Sequence, residues 1–177
     1  MIAIWSGTGT LSFLSASSNS TSRVELRLSL SVVSKPVQRE VSILGLSAVG
    51  TGSGVLAIAA ARLGFAPVLA LDHEPQSVEA ARENAAVNGV DIAVERFDVR
   101  NQPLPRLAGT VVLANLLLPL LLELSRTITE RPRELVASGL LREQADEVAE
   151  VFLTRFQLHE RRRLQRGEWT ALWLSPD

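Results

Sequence analysis

Residues 41–63 read Val-Ser-Ile-Leu-Gly-Leu-Ser-Ala-Val-Gly-Thr-Gly-Ser-Gly-Val-Leu-Ala-Ile-Ala-Ala-Ala-Arg-Leu, and the change of character inside this stretch decides the fold. Val41–Val49 is apolar, as a strand covered on both faces would be, while Gly54–Leu63 is small, apolar and helical in pattern. Between them Gly50, Gly52 and Gly54 make a tight strand-to-helix turn. Glycines at such a turn let the backbone approach a ligand closely, and the helix start behind them presents unpaired N–H groups. Turns of this kind also occur with no ligand, so the neighbouring elements have to carry the reading.

Outward from the turn, strands and helices alternate. Pro67–Leu71 is a short buried strand, and Gln76–Asn88 is an amphipathic helix stopped at Asn88-Gly89. Ile92–Phe97 and Thr110–Ala114 are further strands. Leu116–Thr129 is a helix that tolerates Pro119 in its first turn. Glu134–Ser138 is a strand and Leu141–Phe156 a helix, and Gln157–Leu164 with Trp169–Leu174 reads as a closing hairpin around Arg166-Gly167. This rhythm predicts an α/β fold over residues 41–177, with a mostly parallel sheet covered on both faces and an antiparallel C-terminal hairpin. Residues 1–40 differ in character. Ser12–Ser22 is serine-dense and reads as loop, and Val24–Val32 alternates strictly, as one half-buried strand would.

Composition removes several function classes. A net charge of −1 over 177 residues argues against a nucleic-acid or membrane partner. With no cysteine there is no disulfide, thiolate nucleophile or cysteine-bound metal, and His73 and His159 are too far apart in sequence to suggest a metal cluster. The longest apolar run, Val111–Leu124, is too short to span a bilayer and is broken by Asn115 and Pro119. Met1–Ser20 lacks the basic start and clean apolar block of a signal peptide, so the expectation is a cytoplasmic monomer.

Asp72 ends the strand after the glycine turn, in Ala70-Leu-Asp72-His-Glu-Pro75. An ionised carboxylate there can accept both hydroxyls of a ribose. A dinucleotide-binding protein would place an acid there too, and helix capping is the local alternative, although Glu74 stands nearer Pro75. The dinucleotide fingerprint needs its third glycine where Val55 stands, and no Gly-Lys-Ser/Thr of a phosphate loop is present. The chain has no tyrosine, which removes tyrosine–lysine dehydrogenase chemistry. Asn115 closes the fourth strand, where a buried amide is costly unless hydrogen-bonded. Its side-chain oxygen and nearby carbonyls could accept the N–H groups of an amine and aim its lone pair; strand-end capping is the alternative. Phe97, Trp169 and Trp173 are expected in the core, and Arg161–Arg163 on a solvated hairpin face.

The Gly-x-Gly-x-Gly form resembles the nucleoside-binding turn of class I methyltransferases. More closely, the chain resembles the ribosomal protein methyltransferases (PrmA). The residues that carry this are Val49–Ala60, Leu71–Pro75, Ala80–Asn84 with Asn88-Gly89, Ala114–Leu120, Ser138–Gln144 and Gly167–Leu172. The resemblance implies a Rossmann-like, seven-stranded class I fold that uses S-adenosylmethionine. It also implies methyl transfer to lysine ε-amines and an N-terminal amine, with protein eleven of the large ribosomal subunit as partner. By position, Gly50, Gly52 and Gly54 would approach the methionine part of the cofactor, Asp72 would hold the ribose, Asp98 the adenine, and Asn115 would orient the amine. Thr51, His73 and Asn115 itself complete the implied cofactor-binding set. A dry apolar wall, Leu116–Leu118, would help keep the incoming lysine neutral.

The chain departs from the family in two places. The family has an acid two residues before its first glycine, where this chain has Ala48, which predicts weakened cofactor binding. The family's N-terminal substrate-capturing domain has no counterpart in residues 1–40, and Gly7-Thr-Gly9-Thr10 matches its glycine-threonine segment only faintly. Two further readings therefore stand open: a class I methyltransferase for another substrate, and a truncated, inactive remnant. A shifted reading frame near residue 40 is expected to show as family-like sequence in another frame of the upstream DNA; family-like sequence in none of the three would overturn it.

Overall fold

The computed structural model describes residues 2–6, 10–14, 44–105 and 110–177. A small antiparallel hairpin pairs β1 (Ile2–Ser6) with β2 (Thr10–Leu14). The second strand runs into the serine-dense stretch expected to be loop, because Thr10, Leu11 and Phe13 favour a strand despite the intervening Ser12. The strand expected at Val24–Val32 lies outside the described residues.

The main sheet has seven strands: β3 (Leu46–Val49), β4 (Val68–Asp72), β5 (Ala93–Arg96), β6 (Val111–Asn115), β7 (Glu134–Leu141), β8 (His159–Arg166) and β9 (Trp169–Ser175). Their order is β5-β4-β3-β6-β7-β9-β8. The first five are parallel, and β9 runs antiparallel between β7 and β8. Helices α1 (Val55–Arg62), α2 (Pro75–Asn88), α3 (Leu118–Thr127) and α4 (Ala145–Phe156) connect them. The expected architecture is therefore the observed one.

Each central strand is apolar because both of its faces are covered. In β6, Val111 and Leu113 join Leu46, Ala48, Leu56 and Ala81 beneath α1 and α2. Val112 and Ala114 point the other way, into the core that Leu121, Leu124, Val148 and Phe152 build from α3 and α4. Phe97 belongs to that second core, as expected. Strand β3 turns left to β4 and right to β6, so the direction of winding reverses at its carboxyl end, where open α/β sheets hold ligands.

Two elements differ from the sequence reading for identifiable reasons. β7 continues to Leu141, because a bulge at Ser138-Gly139 absorbs the glycine instead of stopping the strand. Helix α4 consequently starts only at Ala145, after a short 3₁₀ turn, with the Gln144 side chain accepting the Leu141 N–H at 2.9 Å. Trp173 packs half-buried against the α1/α2 side of the core. Trp169, also expected in the core, is 44% exposed, because it opens β9 opposite Leu141 and Arg166, past both clusters.

Glu134, at the start of β7, accepts a hydrogen bond from the Trp173 indole at 3.2 Å. Burial pushes its carboxyl above the usual range, and the indole bond only partly offsets this. Stability linked to a raised carboxyl is fully present below the ordinary glutamate pKa and is lost as pH rises through the folded value. Glu134→Gln keeps an acceptor for the indole and removes the charge. Thermal unfolding is expected to match wild type at pH 4 and to occur at higher temperature than wild type at pH 7; equal stability at both pH values would contradict the assignment.

Candidate functional site

The glycine turn is held by the strand that follows it. The N–H groups of Gly50 and Thr51 both donate to the Leu71 carbonyl, at 2.9 and 3.0 Å, and Gly54 N–H donates to the Thr51 carbonyl at 2.9 Å. Gly50, Gly52 and Gly54 all have positive φ, at 69°, 53° and 83°. Two of them also have no room for a side chain. A Cβ on Gly50 would lie 2.5 Å from Leu116 Cδ2 and 2.8 Å from the Asn115 carbonyl, and one on Gly54 would lie 3.0 Å from Ala81 Cβ. Gly52 differs: nothing lies within 4 Å of the place its Cβ would take.

Asp72 is buried at the end of β4 and ties the turn down. Its Oδ2 accepts the Gly52 N–H at 2.8 Å, and its Oδ1 accepts the Glu74 N–H at 3.1 Å. The second bond is a local turn that leads into the N-cap residue Glu74, so Asp72 braces the approach to α2 and the glycine turn together, while no side chain caps α2 itself. Oδ1 also lies 3.6 Å from His73 Nδ1, while Oδ2 has one bond and further acceptor capacity. His73 is half-exposed beside it, with Nε2 2.9 Å from Glu74 Oε1, and its carbonyl accepts from Arg96 Nε at 3.1 Å.

Asp98 follows β5 in a loop that it organises. Its oxygens accept the Arg100 N–H at 3.0 Å and Asn101 Nδ2 at 2.7 Å. The Arg100 backbone bond, more than any other influence, holds its carboxyl below the usual range. Gly50, Asp72, His73 and Asp98 line one recess, together with Val49, Phe97, Val99, Arg100, Leu116 and Leu120. Four consecutive strand ends thus meet at the reversal of winding. Thr51, Gly52, Gly54 and Asn115 lie outside this lining, although Gly52 is bonded to Asp72 and Asn115 abuts Gly50. Arg100 and Leu120 were not singled out in the sequence, where nothing marks either as more than loop and helix.

Asn115 ends β6 opposite Ser138, whose hydroxyl donates to its Oδ1 at 3.2 Å. Of the apolar wall expected at Leu116–Leu118, Leu116 and Leu118 pack against the core, but Leu117 is 63% exposed, so the wall is not dry throughout. It fails there because Leu117 is the extended residue before the first turn of α3 and lies on neither packed face. Ala48 is fully buried between Ala70 and Leu113, so no carboxylate stands at that step of β3. In the closing hairpin, Arg161 pairs with Asp177, and Arg163 with Glu160 and Asp146, which is a solvated, locally paired face.

The site's residues fit a nucleoside cofactor on three counts. The Thr51 hydroxyl is buried with no hydrogen-bond partner among the described residues. The space beside Gly52 is open, and Asp72 retains acceptor capacity at a strand end.

The family described as Ribosomal protein L11 methyltransferase (PrmA) matches residues 25–175, starting upstream of the division expected at residue 41. The chain is 42% identical over 126 residues to the ribosomal protein L11 methyltransferase of Pectobacterium carotovorum subsp. carotovorum, covering 70% of this chain and 42% of that protein. It is 43% identical, over the same shares, to the corresponding protein of Aliivibrio fischeri. The chain thus spans about two-fifths of the length of the curated relatives it matches. A crystal structure of ribosomal protein L11 methylase from Lactobacillus delbrueckii subsp. bulgaricus is 33% identical, with TM-score 0.66, over 78% of this chain and 72% of that one. TrmK of M. capricolum, solved with S-adenosyl-homocysteine, shares the fold at 11% identity and TM-score 0.60, over 76% of this chain and 62% of that one.

The two turn glycines should respond differently to alanine. Gly50→Ala combines a left-handed φ with a clash against Leu116 and the Asn115 carbonyl, and is expected to cost about 3 kcal/mol or more. Gly52→Ala meets only the conformational penalty, on the order of 1 kcal/mol. Urea unfolding checks the ranking; equal losses would contradict the packing described.

Proposed function

Since the chain belongs to the ribosomal protein L11 methyltransferase (PrmA) family, we propose that it is the S-adenosylmethionine-binding, N-methylating part of such an enzyme. The observation that carries this reading is the recess that Gly50, Asp72, His73, Asp98 and Leu116 line at the carboxyl ends of four strands. The proposed acceptor is a protein amine, a lysine ε-amine or N-terminal amine of a large-subunit ribosomal protein, met in the cytoplasm.

Each residue then has a task that its local geometry supports. Gly50, Gly52 and Gly54 keep side chains away from the methionine end, and the orphaned Thr51 hydroxyl gains a partner there. Asp72 accepts the ribose hydroxyls with its remaining acceptor capacity, with His73 closing the same side of the recess. Asp98 and its loop face the adenine, beside Phe97. Asn115 orients the acceptor amine with its side-chain oxygen. When bound, the cofactor would supply an activated methyl group on a sulfonium, for which the neutral acceptor amine held by Asn115 offers the lone pair. The chain needs no nucleophile of its own; alignment is its main contribution.

A second reading, a family member that binds the cofactor weakly, is favoured by Ala48, which removes the acid the family carries there. Calorimetric titration with S-adenosylmethionine separates the two. The proposal expects saturable heat in wild type and about a hundredfold or greater loss of affinity in Asp72→Ala, since two hydroxyl contacts and the brace on Gly52 go together. Asn115→Ala is expected to keep the affinity and to lose turnover on ribosomal protein L11 by about a hundredfold. Absence of heat at millimolar cofactor would sink the enzyme reading.

A further inference from the structure

We infer that the Ser138-Gly139 bulge of β7 positions Asn115 for the acceptor amine, by fixing which end of its side-chain amide acts as acceptor. The inference rests on the function proposed above. An asparagine amide is nearly symmetric in shape, and rotation about its last bond exchanges an acceptor for a donor. Only one end can accept from a hydroxyl proton. Ser138 lies opposite Asn115 in the β6–β7 register, is 5% exposed, and its Oγ reaches Asn115 Oδ1 at 3.2 Å. Its other acceptor in reach, the Ala114 carbonyl, is further away at 3.5 Å. A turned amide would have to donate to this hydroxyl and send its one proton to the longer Ala114 contact, so the shorter bond favours Oδ1 on the β7 side.

Gly139 supplies the second half of the device. Its φ is +85°, and a Cβ there would stand 2.8 Å from the Leu116 carbonyl oxygen and 3.2 Å from Asn115 Oδ1. The missing side chain therefore leaves uncrowded the two acceptor oxygens that a Cβ would press against. An amine with two N–H groups could donate to both, which would leave its lone pair directed away from them. Neither Ser138 nor Gly139 lines the recess assigned to the cofactor. Their effect should fall on the acceptor step and leave cofactor affinity alone.

Ser138→Ala tests this, with Ser138→Cys as a second variant that keeps the volume but offers a much weaker donor. Both are expected to bind S-adenosylmethionine within about twofold of wild type and to lower kcat on ribosomal protein L11 about tenfold, the usual scale for one buried hydrogen bond. Ser138→Thr, which restores the hydroxyl, is expected to recover most of the rate. A second readout needs no acceptor: in ¹⁵N-asparagine-labelled protein, the Asn115 side-chain amide should hold one orientation in wild type and average between two in either variant. Unchanged kcat, an equally ordered Asn115 amide in the variants, or a parallel loss of cofactor affinity and rate overturns the inference. Absence of cofactor heat in wild type overturns the underlying reading instead, and is recorded in the same titration.

Discussion

The carboxylate of Asp72 is the constraint on which the site depends. It is buried at the end of a parallel strand, where an ionised group is tolerated only with hydrogen-bond partners. It finds them in two different elements, the Gly52 N–H of the glycine turn and the Glu74 N–H at the start of α2. One group thus fixes the turn after β3 to the end of β4, and the two paired Leu71 bonds beneath it make that connection rigid. Close packing of Gly54 on Ala81 brings α2 onto the same turn. The recess exists because the turn, the strand end and the helix cannot move independently.

Most of the fold was legible in the sequence because each central strand and helix satisfies a local rule and a global one together. Leu46–Val49, Val68–Asp72 and Val111–Asn115 are apolar on both faces, and both faces are covered. Asp72 and Asn115 stood out for the same reason, as polar groups at the ends of apolar strands. What was hidden is what depends on partners distant in the chain. Gly139 looks like a strand stop, and only the β6–β7 register reveals it as a bulge beside Asn115. Trp169 has the composition of a core residue, and only its place at the open end of the sheet exposes it. Asp98 was readable as a strand-end acid, but the loop it organises through Arg100 and Asn101 depends on side-chain geometry.

The family relation and the physical reading meet at different strengths in different places. The sheet order is general, and structures with under 20% identity share the fold. Asn115, Ser138 and Gly139 form a more particular cluster, one hydrogen bond and one bulge deep. Ala48 sits in the general part, not the particular one. A weakness there would lower occupancy by the cofactor while leaving the acceptor geometry untouched.

The strand order also has a consequence for how the chain assembles during synthesis. β3 pairs early with β4, but its other edge waits for Val111–Asn115, on the far side of two intervening helices. β9 lies between β7 and β8, so the right-hand half of the sheet stays open until Trp169–Ser175 has emerged. The β3–β6 pairing joins strands far apart in the chain, and such contacts form slowly, after loop-closure entropy has been met, whereas β8 and β9 form a local hairpin that docks on β7. In the interval β6 and β7 can pair alone, leaving an apolar edge uncovered, and a growing chain would be most exposed to association with its neighbours at that stage.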